Sequence, residues 1–257
     1  MNSTSTPSKI ALITGGSRGL GHNTALHLAR QGVDVILTYR AEKAQAEATV
    51  ADITALGRNA VALQLDVGDS ASFAAFADQV QTALRTQWQR ERFDFLVNNA
   101  GMGIHGPFMD TTEDQFTQLF NVHLKGPFFL SQKLLPLMND GGRVINLSSG
   151  LARFALPGYA AYGAMKGAIE VLSKYMAKEL GARGISVNVV APGAIATDFS
   201  GGAVRDNPEV NRFVASQTAL GRVGQPDDIG AVVASLLLPG TGWINGQRIE
   251  ASGGMFL

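Results

Sequence analysis

The chain contains no cysteine, which excludes disulfides, thiolate zinc sites and cysteine nucleophiles. Charge is also scarce. Only 16% of residues are Asp, Glu, Lys or Arg, and the 21 of each sign cancel to zero at pH 7. No basic stripe is visible, so the electrostatic footprint of a nucleic-acid binder is missing and no such partner is expected. Long apolar runs are lacking too: the longest, Ile229–Leu238, has about half of the ~20 residues that span a bilayer. It reads as a buried helix stopped by Pro239-Gly240, and no membrane partner is expected. The opening MNSTSTPS is polar and has no basic start, so residues 1–8 read as a disordered tail rather than a secretory signal. These absences point to a cytoplasmic, soluble protein. The four histidines share no metal-ligand spacing with one another or with carboxylates, so no metal is expected.

Glycine, by contrast, is plentiful: 30 in 257 residues, above the usual ~7% and with no collagen-like period. Such an excess in an ordered chain implies many tight strand-to-helix turns. Short apolar runs that read as strands are Lys9–Thr14, Val33–Thr38, Ala60–Leu65, Phe93–Asn98, Arg143–Ser148 and Ile185–Val190, with a last one near Arg248–Ala251. Near-continuous apolar runs of this length mean strands buried on both faces, as in a parallel sheet. Helical patterns lie between them, around 19–31, 42–56, 70–89, 112–138, 158–182 and 226–238. Strict alternation of strand and helix predicts right-handed βαβ units, hence an α/β doubly wound parallel sheet of about seven strands. No linker interrupts it, so residues 9–257 read as one domain.

Thr14-Gly15-Gly16-Ser17-Arg18-Gly19-Leu20-Gly21 follows the first strand and opens the first helix. Glycines let the backbone approach a diphosphate, and the free N–H groups of a helix N-terminus favour the anion. The spacing is G-x-x-x-G-x-G rather than the common G-x-G-x-x-G. With the Asn98-Asn99-Ala100-Gly101 turn after strand four, Asp66-Val67 after strand three and Pro192-Gly193 after strand six, the chain resembles the classical short-chain dehydrogenases/reductases over residues 9 to 254. The resemblance implies a single Rossmann-like domain, a homotetramer joined through the helices near 112–138 and 158–182, and reversible reduction of a carbonyl.

Tyr162 and Lys166 lie at i and i+4 on one helical stretch and so share a face. A phenol of pKa ~10 is a poor acid–base partner at neutral pH. A neighbouring ammonium lowers that pKa, which suits proton transfer to a carbonyl. Tyr39 and Lys43 have the same spacing. The family resemblance separates the two pairs, because it places a serine thirteen residues before the tyrosine. That position is Ser149 for Tyr162, and the apolar Leu26 for Tyr39. By resemblance Ser149 donates to the substrate oxygen, and Asn121 completes the tetrad by holding a water beside Lys166. Gly163 and Met165 depart from the family's small or hydroxyl residues without removing a functional group, and Ala251-Ser252-Gly253-Gly254 departs from its Val-Asp-Gly-Gly. A cofactor-sensing regulator on the same fold is the rival class, and it usually lacks the Tyr–Lys pair.

The end of strand two normally carries the acid that binds the ribose hydroxyls of NAD. Here it reads Thr38-Tyr39-Arg40, with no acid before Glu42. Arg40, joined by Arg18, is placed to meet a 2′-phosphate through its planar fork of donors. NADP(H) is therefore expected, with NAD(H) as the other candidate. The resemblance implies cofactor contacts from Gly15, Ser17, Arg18, Gly19, Leu20, Gly21, Tyr39 and Arg40. It adds Asp66 and Val67 at the adenine, and Asn98, Ala100, Gly101, Tyr162 and Lys166 at the riboses. Pro192, Gly193, Ile195 and Thr197 would position the nicotinamide. A substrate loop is expected near 198–221, with Phe154, Leu156, Phe199, Val204 and Phe213 as apolar walls that suit a small hydrophobic ketone or aldehyde. The alternatives are a 3-oxoacyl-acyl-carrier-protein reductase and a sugar or steroid alcohol dehydrogenase. Met138-Asn139-Asp140-Gly141 before strand five is not basic, which counts against an acidic carrier. His105, just past the Asn98–Gly101 turn, is a candidate edge of the pocket.

Overall fold

A computed structural model describes residues 8–257. Seven strands form one parallel sheet: β1 (Ile10–Ile13), β2 (Asp34–Tyr39), β3 (Ala60–Gln64), β4 (Phe93–Asn98), β5 (Met138–Leu147), β6 (Ser186–Pro192) and β7 (Arg248–Ala251). Their order across the sheet is β3-β2-β1-β4-β5-β6-β7. The chain reverses its direction of travel between β1 and β4, and ligands of open α/β sheets bind at such a switch point.

Alternation along each strand feeds two cores. Ala11 and Ile13 of β1 face a cluster with Ala25 and Leu28 of α1 (Gly19–Arg30), Ala46 and Ile53 of α2 (Lys43–Ala55) and Val233 of α9 (Pro226–Leu237). Ile10 and Leu12 face the opposite cluster, with Phe73 and Phe76 of α3 (Phe73–Trp88), Leu130 of α5 (Gly126–Leu134) and Ala177 of α6 (Ala160–Leu180). Both faces being apolar is why these strands read as continuous hydrophobic runs.

Four expectations need correction. The long helix expected at 112–138 is three pieces: α4 (Glu113–Phe120), a π-helical turn Asn121–Lys125, and α5. Pro127 has no N–H for the carbonyl four residues back, and the wider turn, in which Gly126 N donates to Asn121 O, accommodates it. Strand β5 starts at Met138 rather than Arg143, because Met138 pairs with Phe93 ahead of an irregular step in the register. The expected loop at 198–221 holds two helices, α7 (Ala203–Asp206) and α8 (Pro208–Ser216). Asn207 caps α8 by accepting from the N–H groups of Glu209 and Val210, and Pro208 pre-sets its first turn. Of the expected tail, residues 1–7 lie outside the described residues, while Ser8 is tied down. Its hydroxyl donates to Asp34 Oδ2 at 2.6 Å and its carbonyl accepts from Arg90.

Candidate active site

The glycine loop runs from the end of β1 into α1. Gly15 (φ +64°) and Gly19 (φ +57°) take left-handed backbone, and a Cβ on Gly21 would collide with the Gly15 carbonyl and the Asn99 side chain. The first turn of α1 has no side-chain cap and no acidic residue. Its N–H groups are therefore open to an anion, as a dinucleotide diphosphate requires. Two residues not read as functional shape this cradle. The Asn99 side chain donates to Thr14 O (2.8 Å) and Gly15 O (3.0 Å), while Thr14 Oγ1 accepts from Asn99 N and Ala100 N. Thr38 secures the other side, its hydroxyl accepting from Gly15 N at 3.1 Å.

The other proposed cofactor residues gather along the same edge. Tyr39 ends β2 and Arg40 follows it, exposed and with no side-chain hydrogen bond or ion pair among the described residues. Arg18 is exposed as well and lies 3.9 Å from Asp198, so a phosphate would have to compete with that carboxylate for it. Asp66 is exposed, its carboxylate accepting from Gly68 N, and Val67 is buried beside it. Asn98 needs a correction. Its amide points into the core and donates to Ser131 Oγ (3.0 Å) and Asn146 Oδ1 (2.8 Å), leaving the main chain for any ribose contact. Pro192 ends β6, and Gly193 approaches Ser252 so closely that a Cβ would meet its Cα at 2.9 Å. Ile195 is pinned by pairing with Gly224, which holds Thr197 over Gly19. These residues fit NADP(H): an open helix N-terminus, a cradle without side chains, and an arginine where NAD enzymes carry an acid.

Ser149, Tyr162 and Lys166 meet at the C-terminal end of β5. Leu151 N donates to Ser149 Oγ at 3.2 Å, so the hydroxyl proton remains available to another acceptor. Tyr162 is 7% exposed and Lys166 5%. Lys166 Nζ lies 5.6 Å from the Tyr162 ring centre and donates to Leu147 O at 2.7 Å. Burial, rather than the ammonium, governs the phenol, so the expected lowering is not found. Desolvation pushes the Tyr162 phenol well above the usual tyrosine range against the pull of Ser149, and pushes Lys166 down to about 7. Glu170 and Arg248 brace the site: Glu170 accepts from Ser148 Oγ and Arg248 Nε at 2.7 Å each, and Arg248 reaches the Ser149 carbonyl at 3.3 Å.

Tyr39 and Lys43 are separated by the break between β2 and α2, and Lys43 pairs with Glu47 instead. The Asn121 side chain makes no hydrogen bond among the described residues. On the same turn, buried His123 packs edge-on against Tyr162 at 5.1 Å. His105 lies over Gly158 and stacks edge-on with Tyr159 at 5.1 Å. Of the five expected walls, Phe199 sits 6.0 Å from Tyr162 and covers Gly103. Phe154 and Val204 pack against a small core of Val214, Val223 and Met255, Leu156 is half-buried, and Phe213 is half exposed. The segment Met138–Gly141 opens β5, at the opposite end of that strand from Ser149, and therefore carries no information on carrier docking.

The buried lysine gives stability a pH signature. Below about 7 Lys166 is charged in both folded and unfolded chains, and the cost of burying that charge is felt in full. Between about 7 and the ordinary lysine value of 10.5 the unfolded chain holds the extra proton, so stability rises with pH. Lys166→Met should therefore raise the melting temperature at pH 6 and lose that advantage by pH 9.5, measured without nucleotide. An equal gain at both pH values would count against a depressed lysine.

A family model described as enoyl-(acyl carrier protein) reductase matches residues 15–256. The chain is 38% identical over 251 residues to a Staphylococcus aureus 3-oxoacyl-[acyl-carrier-protein] reductase, FabG, covering 97% of this chain and 98% of the relative. Among solved structures it resembles LugOII, a promiscuous reductase for keto-reduction at C1 during lugdunomycin biosynthesis, with TM-score 0.93, 39% identity and 98% and 100% of the two chains covered. It also resembles the angucycline C-6 ketoreductase LanV with bound NADP, with TM-score 0.92, 35% identity and 96% and 95% coverage. Motif order, strand order and these likenesses agree: the chain belongs to the short-chain dehydrogenase/reductase family.

Proposed function

We propose that the protein uses NADPH to reduce the carbonyl of a small apolar ketone or aldehyde. The observation that carries this reading is a buried Tyr162 phenol beside a Ser149 hydroxyl whose proton is free to be donated. Bound NADPH supplies the hydride that the carbonyl carbon receives. Ser149 holds the carbonyl oxygen, and Tyr162 gives that oxygen its proton as the alcohol forms. Burial favours the neutral phenol, which is the form needed for reduction. Lys166 is near its midpoint at neutral pH, so it can return a proton toward the tyrosine without a large penalty. Phe199 beside Tyr162 and half-buried Met102, Ile104 and Leu151 around it make the substrate side apolar.

The ketoreductase relatives support a free ketone, and the likeness to FabG supports a carrier-bound 3-oxoacyl thioester as the second reading. Initial rates with NADPH against a panel of apolar ketones and against an acetoacetyl carrier thioester decide between them. Turnover of the free ketones at kcat/KM above that of the thioester is expected, and the reverse order would make the carrier reading the better one. A homotetramer is proposed as well, supported by exposed Phe116, Phe120, Phe128 and Phe129 along α4 and α5 and Val171 and Tyr175 on α6. A monomer in light scattering would remove it.

A further inference from the structure

The π-helical turn carries two polar residues close to the site, and the one that touches Tyr162 is His123. Its imidazole is 3% exposed and meets the Tyr162 ring at 5.1 Å and 85°. Nε2 lies 2.7 Å from Met102 O and 3.3 Å from Met102 N. Cε1 lies so close to Gly101 that a Cβ there would be 3.0 Å away. The imidazole thus joins three pieces of the site: the turn after β4, the tyrosine on α6 and the π turn itself.

The charged groups around it settle its state. Burial and then the nearby Lys166 charge push His123 down to about 3, with only the Met102 carbonyl pulling the other way. The neutral ring therefore keeps its proton on Nε2 and donates it to Met102 O, and Nδ1 is left as a sealed lone pair without a partner. Lys166 and Tyr162 are the titratable groups that α6 presents to it, and the turn after β4 presents main chain. Asn121 differs in each respect. It is half-buried, and its main-chain carbonyl is used within the π turn by Gly126 N.

We propose that His123, and not Asn121, is the positioning residue that fixes the Tyr162 ring and the Gly101–Met102 turn relative to each other. The proposal rests on the reading of Tyr162 as the proton donor. A glutamine amide reaches as far along the side chain as Nε2, so His123→Gln can keep a hydrogen bond to Met102 while losing the ring contact. Alanine loses both. A shift of about 1 Å at a reacting group can cost ~10²-fold in rate. His123→Ala is therefore expected to lower kcat by roughly 10–100-fold, with the NADPH dissociation constant changed by less than about 3-fold, and His123→Gln to recover only part of the loss.

Steady-state kinetics, nucleotide fluorescence titration and melting temperature on the purified variants test this. A kcat loss in His123→Ala larger than that in Asn121→Ala supports the proposal, and a larger loss in Asn121→Ala overturns it. If His123→Ala does not fold, His123→Gln decides: a kcat at least about 5-fold below wild type with an unchanged pH profile supports the clamp, and a smaller loss overturns it. Full turnover in Tyr162→Phe would instead sink the tyrosine reading, whatever the His123 variants show.

Discussion

Tyr162→Phe is expected to lower carbonyl reduction by roughly 10²–10⁴-fold while NADPH still binds. The substitution removes one hydroxyl from a ring that is 7% exposed and packed against His123 and Phe199. The ring contacts remain, so the loss reports proton donation rather than folding. Tyr175→Phe is the matched control, since it lies on the same helix but is 65% exposed and far from Ser149 along it. Single-turnover rates with saturating NADPH compare the two directly. Equal rates would show that another group supplies the proton. The pH dependence has a defined sign: a phenol raised by burial stays protonated across the neutral range. Any fall in reduction between pH 6 and 8 then belongs to Lys166, whose midpoint is near 7.

The second large effect concerns cofactor choice. A hydrogen bond to a charged group contributes on the order of 1.5–3 kcal/mol, a factor of ~10–150 in affinity. With Arg40 exposed at the end of β2 and unpaired among the described residues, NADPH should exceed NADH in kcat/KM by at least ten-fold. Arg18 adds less, because Asp198 competes for it at 3.9 Å and exposed ion pairs contribute little. Tyr39→Asp combined with Arg40→Leu supplies the missing carboxylate, repels a 2′-phosphate and should reverse the preference. Salt offers an independent check, since an exposed arginine–phosphate pair is screened within ~8–10 Å at 0.1–0.15 M. KM for NADPH should rise with salt more steeply than KM for NADH. Equal kcat/KM for both cofactors, unmoved by Arg40→Leu, would leave the phosphate reading without support.

Strands β1 and β4 were legible because burial on both faces favours near-continuous apolar residues, as in IALI and in FDFLVN, where Asp94 is buried against Lys9 and Arg90. The early start of β5 was not, since Asn139-Asp140-Gly141-Gly142 is polar and only its neighbour β4 makes a strand of it. The glycine cradle was visible from residue types at set spacings on predictable elements, whereas Ser149 and the choice of Tyr162–Lys166 over Tyr39–Lys43 came from the family resemblance. Which residue of the 121–125 turn faces the tyrosine was not visible. Pro127 widens the helix there, and a wider turn shifts the angular phase of every side chain on it, so α-helical counting fails. Asn98 shows the same limit, its amide turned inward by partners on β5 and α5.

The sequence by itself determined the sheet and the glycine-rich turn, because these depend on local pattern, while the Tyr162–Lys166 pair was picked out by the family resemblance. Only the tertiary structure decided the protonation of that pair. Burial is set by everything packed around Tyr162 and Lys166, and desolvation favours the neutral form of each.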